Sequence, residues 1–352
     1  METTKLDRFL FMPKISLKPN RVTLFNEVLI RNYNTQTLEH ISKRRVVDAL
    51  HVTNNKPVLE KRYHDFIISK SGQKKIQEKI NWMYILAKSR YQKTYSGKEI
   101  FNFKINFLTL TLPSAQMHPT SQITTECFNQ FLTEIRLRTN MENYVWRLEF
   151  QKNGNLHYHI VTDTYIDYHF CQKIWNRIIN KLSYIDKFQA KFSEMNLHQY
   201  IEAVKYSDHV DFTQLAKRYY KGVAEKWTNA PSVDVKVCTS NKAIAYYISK
   251  YFGKNKDNNC KQNKLDNKEN SFSLRLWFCS RSLSKLTSIV EYQEIIPIDW
   301  FSLLKGLPQV KHLIMDYAQC LFFDIRDLSN SLKSLLYPVF TEYSKSQGYS
   351  SA

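Results

Sequence analysis

The stretch "EFQKNGNLHYHIVTD", Glu149 to Asp163, alternates apolar and polar residues on both sides of an Asn-Gly pair, a strong local signal for a β-hairpin. A hairpin ties two strands antiparallel, so it commits the chain to a sheet whose surest pair is antiparallel. Strand side chains alternate faces, which sets His157 and His159 on one side about 7 Å apart and Tyr158 on the other. Glu149, ahead of the turn, comes within reach of the same face. Two imidazoles and a carboxylate so placed can grip one divalent cation. A His-His-Glu set suits Mg²⁺ or Mn²⁺ in work on phosphate, where the cation polarises a non-bridging oxygen. The competing reading is that His-x-His only marks a strand's polar face.

The rest of the chain supplies partners for that hairpin. "FNFKINFLTLTLPS", Phe101 to Ser114, is alternating, β-branched and aromatic, a strand stopped by Pro113. "TSQITTECFNQFLTEIRLRTN" follows as a helix with a Thr or Ser cap. Further helices run through "HFCQKIWNRIINKL", "NLHQYIEAVKYS" and "DFTQLAKRYYKGVAEKW", where Trp175, Ile178, Ile179 and Leu182 read as core. Lys217, Arg218 and Lys221 read first as a solvated face, with contact to phosphate the second reading. A strand "SVDVKVCT", a helix "NKAIAYYISKYFGK", a polar Asn/Lys-rich loop and a strand "FSLRLWFC" complete the pattern. Upstream, Ile76, Ile80, Met83, Tyr84 and Ala87 recur at helical spacing, with Lys74, Lys75, Lys79, Lys88 and Arg90 between them, as in a basic amphipathic helix. The expected fold is α+β: a central five-stranded antiparallel sheet flanked by helices, with a mostly helical C-terminal tail. The expected regions are an N-terminal extension over 1–66, a main domain over 67–290 and the tail over 291–352.

Charge narrows the partner. A formal net charge of +19 and a pI near 9.5 favour a polyanion, and the 22 tyrosines and 21 phenylalanines offer surfaces for unpaired bases. The six cysteines include no Cys-x-x-Cys pair, which suggests neither a zinc ribbon nor a disulfide framework and points to a reduced, cytoplasmic setting. No export signal opens the sequence and no run approaches membrane-spanning length, so a membrane is not an expected partner. No Gly-x-x-x-x-Gly-Lys occurs, which excludes a P-loop motor.

"YYISKYFGK" carries the second constellation. Tyr247 and Tyr251 are four apart and share a helical face, with Lys250 and Lys254 each one turn from its neighbour. A tyrosine hydroxyl can attack a phosphodiester while a cation steadies the developing charge. The alternative is an aromatic stripe packed on the sheet.

The ordered set "FLTLTLP", then Glu149 with "HYH", then "YISKY" resembles the three motifs of HUH endonucleases, in particular replication initiators of rolling-circle plasmids and microvirus-type phages. The resemblance spans roughly residues 100–285 and departs from the family in placing Tyr158, not a bulky aliphatic residue, between the histidines. It implies an HUH, ferredoxin-like sheet with a Mg²⁺ or Mn²⁺ site on Glu149, His157 and His159. It implies Tyr247 as nucleophile, Tyr251 for a second transfer and Lys250 beside the phosphate. The implied partners are single-stranded or hairpin origin DNA, a host helicase and a host DNA polymerase, in the cytoplasm of a bacterial or phage-infected cell. The tyrosine downstream of the histidines separates the chain from conjugative relaxases. A two-tyrosine transposase of the same chemistry, and a non-catalytic DNA- or RNA-binding repressor, remain the alternatives.

Overall fold

The alternating run after residue 100 builds two strands, not one. Strand β5 (Ile100–Phe103) pairs with β4 (Arg90–Lys93), whereas β6 (Ile105–Thr111) enters the main sheet. The break falls at Lys104, whose ammonium sits 4.3 Å above the Tyr84 ring and whose burial pulls its pKa down to about 8. The computed structural model describes residues 9–32, 37–40, 68–93, 100–151, 153–204, 211–238, 275–294 and 298–350. The chain divides into two compact units, residues 64–284 with 349–352 and residues 1–63 with 285–348.

The larger unit holds the expected five-stranded sheet. Its order is β10 (Trp277–Cys279), β7 (Tyr144–Phe150), β8 (Leu156–Thr162), β6 and β9 (Val233–Cys238), every pairing antiparallel. Alternation gives it two unlike faces. Leu108, Leu110, Trp146, Leu148, Tyr158 and Ile160 point to a core filled from one side by helices α2 (Asn129–Thr139), α3 (Tyr168–Ile179) and α4 (Tyr184–Ser193). The aromatic residues of α5 (Leu197–Val204) and α6 (Phe212–Ala224) extend that cluster. Trp175, Ile178 and Ile179 are fully buried, as their helical spacing predicts. Helix α1 (Lys70–Leu86), capped by the Ser69 hydroxyl, forms where the sequence periodicity places it. Lys79, expected on its solvated side, is buried and donates to the Ser284 carbonyl, and Arg90 stands in β4 and donates to the Asp163 carbonyl.

Tyr158 explains how a tyrosine fits between the two histidines. Its ring is fully buried and stacks on Phe128 at 3.8 Å, nearly parallel. Its hydroxyl lies 2.6 Å from Thr124 Oγ1. Phe128 and Thr124 belong to a π-helical stretch, Ile123–Phe128, that leads into α2. The wider π turn presents both residues to one strand side chain.

The second unit differs from the expectation of a weakly patterned extension and a mostly helical tail. Strands β1 (Phe9–Lys18) and β2 (Arg21–Asn32) form a long hairpin closed by Pro19 and Asn20. Strand β3 (Thr37–His40) pairs with β2, and β11 (Ile289–Tyr292) with β1. The tail returns as the hairpin β12 (Lys311–Met315) and β13 (Ala318–Phe322), with β13 against β2. Helix α7 (Asn330–Ser346) supplies the expected helical part of the tail. The reason is topological: the local hairpins at each end are completed by partners at the other, β1 by β11 and β2 by β13.

Among the described residues, no helix is long and apolar enough to cross a membrane.

Candidate active site

The turn between β7 and β8 fixes the site. Gln151 N–H donates to the Asn155 carbonyl at 2.8 Å and Gly154 N–H to the Gln151 carbonyl at 2.9 Å, so three residues lie between the bonded pair Gln151 and Asn155, and Gly154 takes a positive φ of 86°. A three-residue connection with glycine in the left-handed position is a common hairpin form. It pairs Glu149 with His157 and Arg147 with His159. Cross-strand partners share a face, so Glu149, Arg147, His157 and His159 all stand on the side away from Tyr158. Strand β6 completes the rows by setting Thr109 opposite His159 and Thr111 opposite His157. Asp234 of β9 pairs with Thr109 from the other edge of β6.

Side-chain contacts follow the rows. The imidazoles of His157 and His159 stack with centroids 4.6 Å apart and a 26° interplanar angle. Glu149 Oε1 lies 3.3 Å from His159 Nε2, with both side chains largely buried. On the opposite side of each ring, Thr109 Oγ1 lies 3.2 Å from His159 Nδ1 and Gln151 Nε2 lies 2.7 Å from His157 Nδ1. The Thr109 hydroxyl can accept from His159 Nδ1–H and leave Nε2 free to ligate, whereas the Gln151 amide does the same for His157 only with its oxygen turned to the ring. Arg147 is nearly fully buried in the same face; burial pulls its guanidinium below the ordinary arginine value, and the Glu149 charge pulls the other way.

The hairpin is anchored from outside by one buried amide. Asn155 Nδ2 donates to the Ser114 carbonyl at 2.8 Å, and its Oδ1 accepts from Gln116 N–H at 2.9 Å. The Gln116 side chain in turn accepts from Leu156 N–H. The loop that follows β6 is thereby stapled to the first residues of β8, which carries both histidines.

The donor chemistry of the set, two imidazoles and a carboxylate with hydrogen-bonded partners behind the rings, fits a divalent cation. As the side chains stand, no group of three or more His, Cys, Asp or Glu among the described residues is drawn together tightly enough to hold a metal. Tyr247, Lys250 and Tyr251, with Tyr246 and Lys254, lie outside the described residues.

Three neighbours of the site escaped the reading of the sequence: Arg147, Thr109 and Gln151. Arg147 stands two residues before Glu149, a spacing that shares a strand face. Thr109 is one of the hydroxyls in "FLTLTLP", alternating with leucines that face the core.

Residues 105–256 match a family of replication-associated proteins, that of ORF2. That span covers less than half of the 352 residues and includes the whole Glu149–His159 hairpin. No curated protein matches the chain, and no solved structure does.

Proposed function

We propose that the chain initiates DNA replication by nicking one strand of single-stranded or hairpin origin DNA through tyrosine transesterification, as an HUH endonuclease. The observation that carries this reading is the placement of Glu149, His157 and His159 on one sheet face, each ring held from behind, inside a segment similar to a replication-associated family. Mg²⁺ or Mn²⁺ held by these three residues would supply Lewis acidity to a non-bridging oxygen of the scissile phosphate. Thr109 and Gln151 hold the two rings, and Arg147 stands beside Glu149 on the same face.

Tyr247 is the nucleophile of this scheme. Its oxygen bonds to phosphorus as the bond to the 3′-oxygen breaks, leaving a 5′-phosphotyrosine and a 3′-hydroxyl that takes up a proton. Lys250 steadies the charge on the phosphate. Tyr251 carries the second transfer that rejoins the strand. A host polymerase extends the 3′-hydroxyl, and a host helicase supplies the motor that the sequence lacks.

The test is incubation with single-stranded origin DNA, with Mn²⁺ or with EDTA, followed by a denaturing gel for a slow protein–DNA adduct. A metal-dependent adduct absent from Tyr247→Phe and His157→Ala is the expected result. Salt-sensitive binding with no adduct on any origin strand would move the assignment to a DNA-binding repressor.

A further inference from the structure

We propose that the outer face of α6 is a stacking platform for the unpaired bases of single-stranded DNA, separate from the histidine face. Phe212 and Tyr220 are 63% and 62% exposed, and Val223 is 49% exposed. Large aromatic side chains on a soluble helix ordinarily turn inward, so two on the outside of one helix call for an occupant. Phe212, Ala216 and Tyr220 recur every four residues and form one stripe, about 12 Å from the first ring to the last at 1.5 Å per residue. Lys217 and Lys221 run alongside on the adjoining row.

The charge selects the occupant. The 13 residues of α6, FTQLAKRYYKGVA, contain three cations and no acid. Acids stand only at its ends: Asp211 caps the first turn, and Glu225 lies 3.7 Å from Lys221. Aromatic rings for bases, interleaved with cations for phosphates, are the elements by which proteins hold a single strand without reading its sequence. An apolar protein partner would have to bury Lys217 and Lys221 to reach the stripe.

The platform is rigid from below. Gly222 leaves space for the Trp227 ring, which would lie 2.3 Å from a Cβ at that position. Trp227 stacks on Phe192 at 5.3 Å and meets Tyr200 and Tyr219 at tilted angles, at 5.3 and 5.9 Å. Leu215 is buried. The inner face of the helix is thus packed, and the outer aromatics are not the residue of loose packing. This cluster joins the core on the Tyr158 side of the sheet, so a strand held on α6 does not occupy the face that carries His157.

The inference rests on the reading of the chain as a DNA-acting protein, and the test keeps the two apart. Full-length protein in EDTA, where no metal-dependent nicking occurs, is titrated into a fluorescently labelled oligothymidylate and followed by anisotropy. A Phe212→Ala/Tyr220→Ala variant is expected to bind at least about tenfold more weakly. Lys217→Gln/Lys221→Gln is expected to lower the slope of log affinity against log salt by about 1.4. Loss of the covalent adduct in His157→Ala, followed separately with Mn²⁺, reports on the nicking reading alone. Wild-type affinity and salt slope in both α6 variants would overturn the platform. So would a wild-type dimer in sedimentation that the aromatic variant dissolves, because a second copy would then be the occupant. Tighter binding of oligouridylate than of oligothymidylate would reassign the surface to RNA.

Discussion

Glu149 faces His157 directly across the β7–β8 pair, and its Oε1 reaches along the same face to within 3.3 Å of His159 Nε2. The carboxylate thus stands opposite one imidazole and contacts the other. Glu149→Gln keeps the shape of the side chain and removes its charge. The expected outcome is Mn²⁺ binding at least about tenfold weaker by calorimetry. Unchanged affinity would show that Glu149 is not a ligand. The turn that sets this facing pair is open to a separate check: Gly154→Ala forces alanine to the positive φ of 86° and should cost roughly 1–2 kcal/mol in chemical unfolding.

The partners behind the rings carry the second prediction. Thr109→Val removes the hydroxyl 3.2 Å from His159 Nδ1 with little change of volume, and Gln151→Leu removes the amide beside His157. Loss of such partners commonly lowers metal affinity or activity about 10–100-fold. The expected outcome is weaker Mn²⁺ binding for each variant, with a thermal midpoint near that of the parent. Equal affinity in both variants would remove Thr109 and Gln151 from the site.

The site was legible in the sequence where the signal was local. Alternation about "NGNLHYHI" and the facing Glu149 needed only strand geometry and a turn. Thr109 and Arg147 were harder, because each reaches the site through pairing with another strand rather than through its neighbours in the chain. The second sheet was out of reach for the same reason. The β1–β2 hairpin is local, but Lys14 to Leu17 pair with Ile289 to Tyr292, and Arg21 to Phe25 with Ala318 to Phe322. A short turn limits register to a few choices, whereas partners separated by most of the chain leave many. Tyr158 shows a further limit: its stacking on Phe128 and bond to Thr124 depend on a π turn that no helical periodicity reveals.

Gly222 gives a third prediction. A methyl at this position meets the Trp227 ring at 2.3 Å, and Trp227 is held on several sides by Phe192, Tyr200 and Tyr219. Gly222→Ala is expected to destabilise the larger unit by about 1–3 kcal/mol, as overpacking does in a close-packed cluster. Tryptophan fluorescence during urea unfolding checks it. A midpoint equal to the parent's would mean that the ring moves aside at no cost.

The last prediction concerns Tyr349, which is buried with its hydroxyl 3.4 Å from the carboxylate of the fully buried Asp163. Asn143 donates to the same carboxylate oxygen at 2.9 Å and also to the Ser350 carbonyl at 2.7 Å. Burial first, and then the Asp163 charge, push the Tyr349 hydroxyl well above the ordinary tyrosine range. A group whose folded pKa is raised leaves stability unchanged below its unfolded value and costs stability as pH rises beyond it. The unfolded chain releases this proton above about pH 10 while the folded chain keeps it. Stability is therefore expected to fall above that pH, with Tyr349 contributing up to about 1.4 kcal/mol per pH unit. Tyr144, Tyr165, Tyr168, Tyr184 and Tyr337, raised by burial in the same direction, add to the slope of the parent. The difference between the parent and Tyr349→Phe isolates one residue. Urea midpoints taken on both sides of pH ~10 should show a shallower alkaline decline in the variant. Parallel declines would mean that Tyr349 ionises in the folded chain as it does in the unfolded one, and that its contact with Asp163 does not hold the C-terminal residues in place.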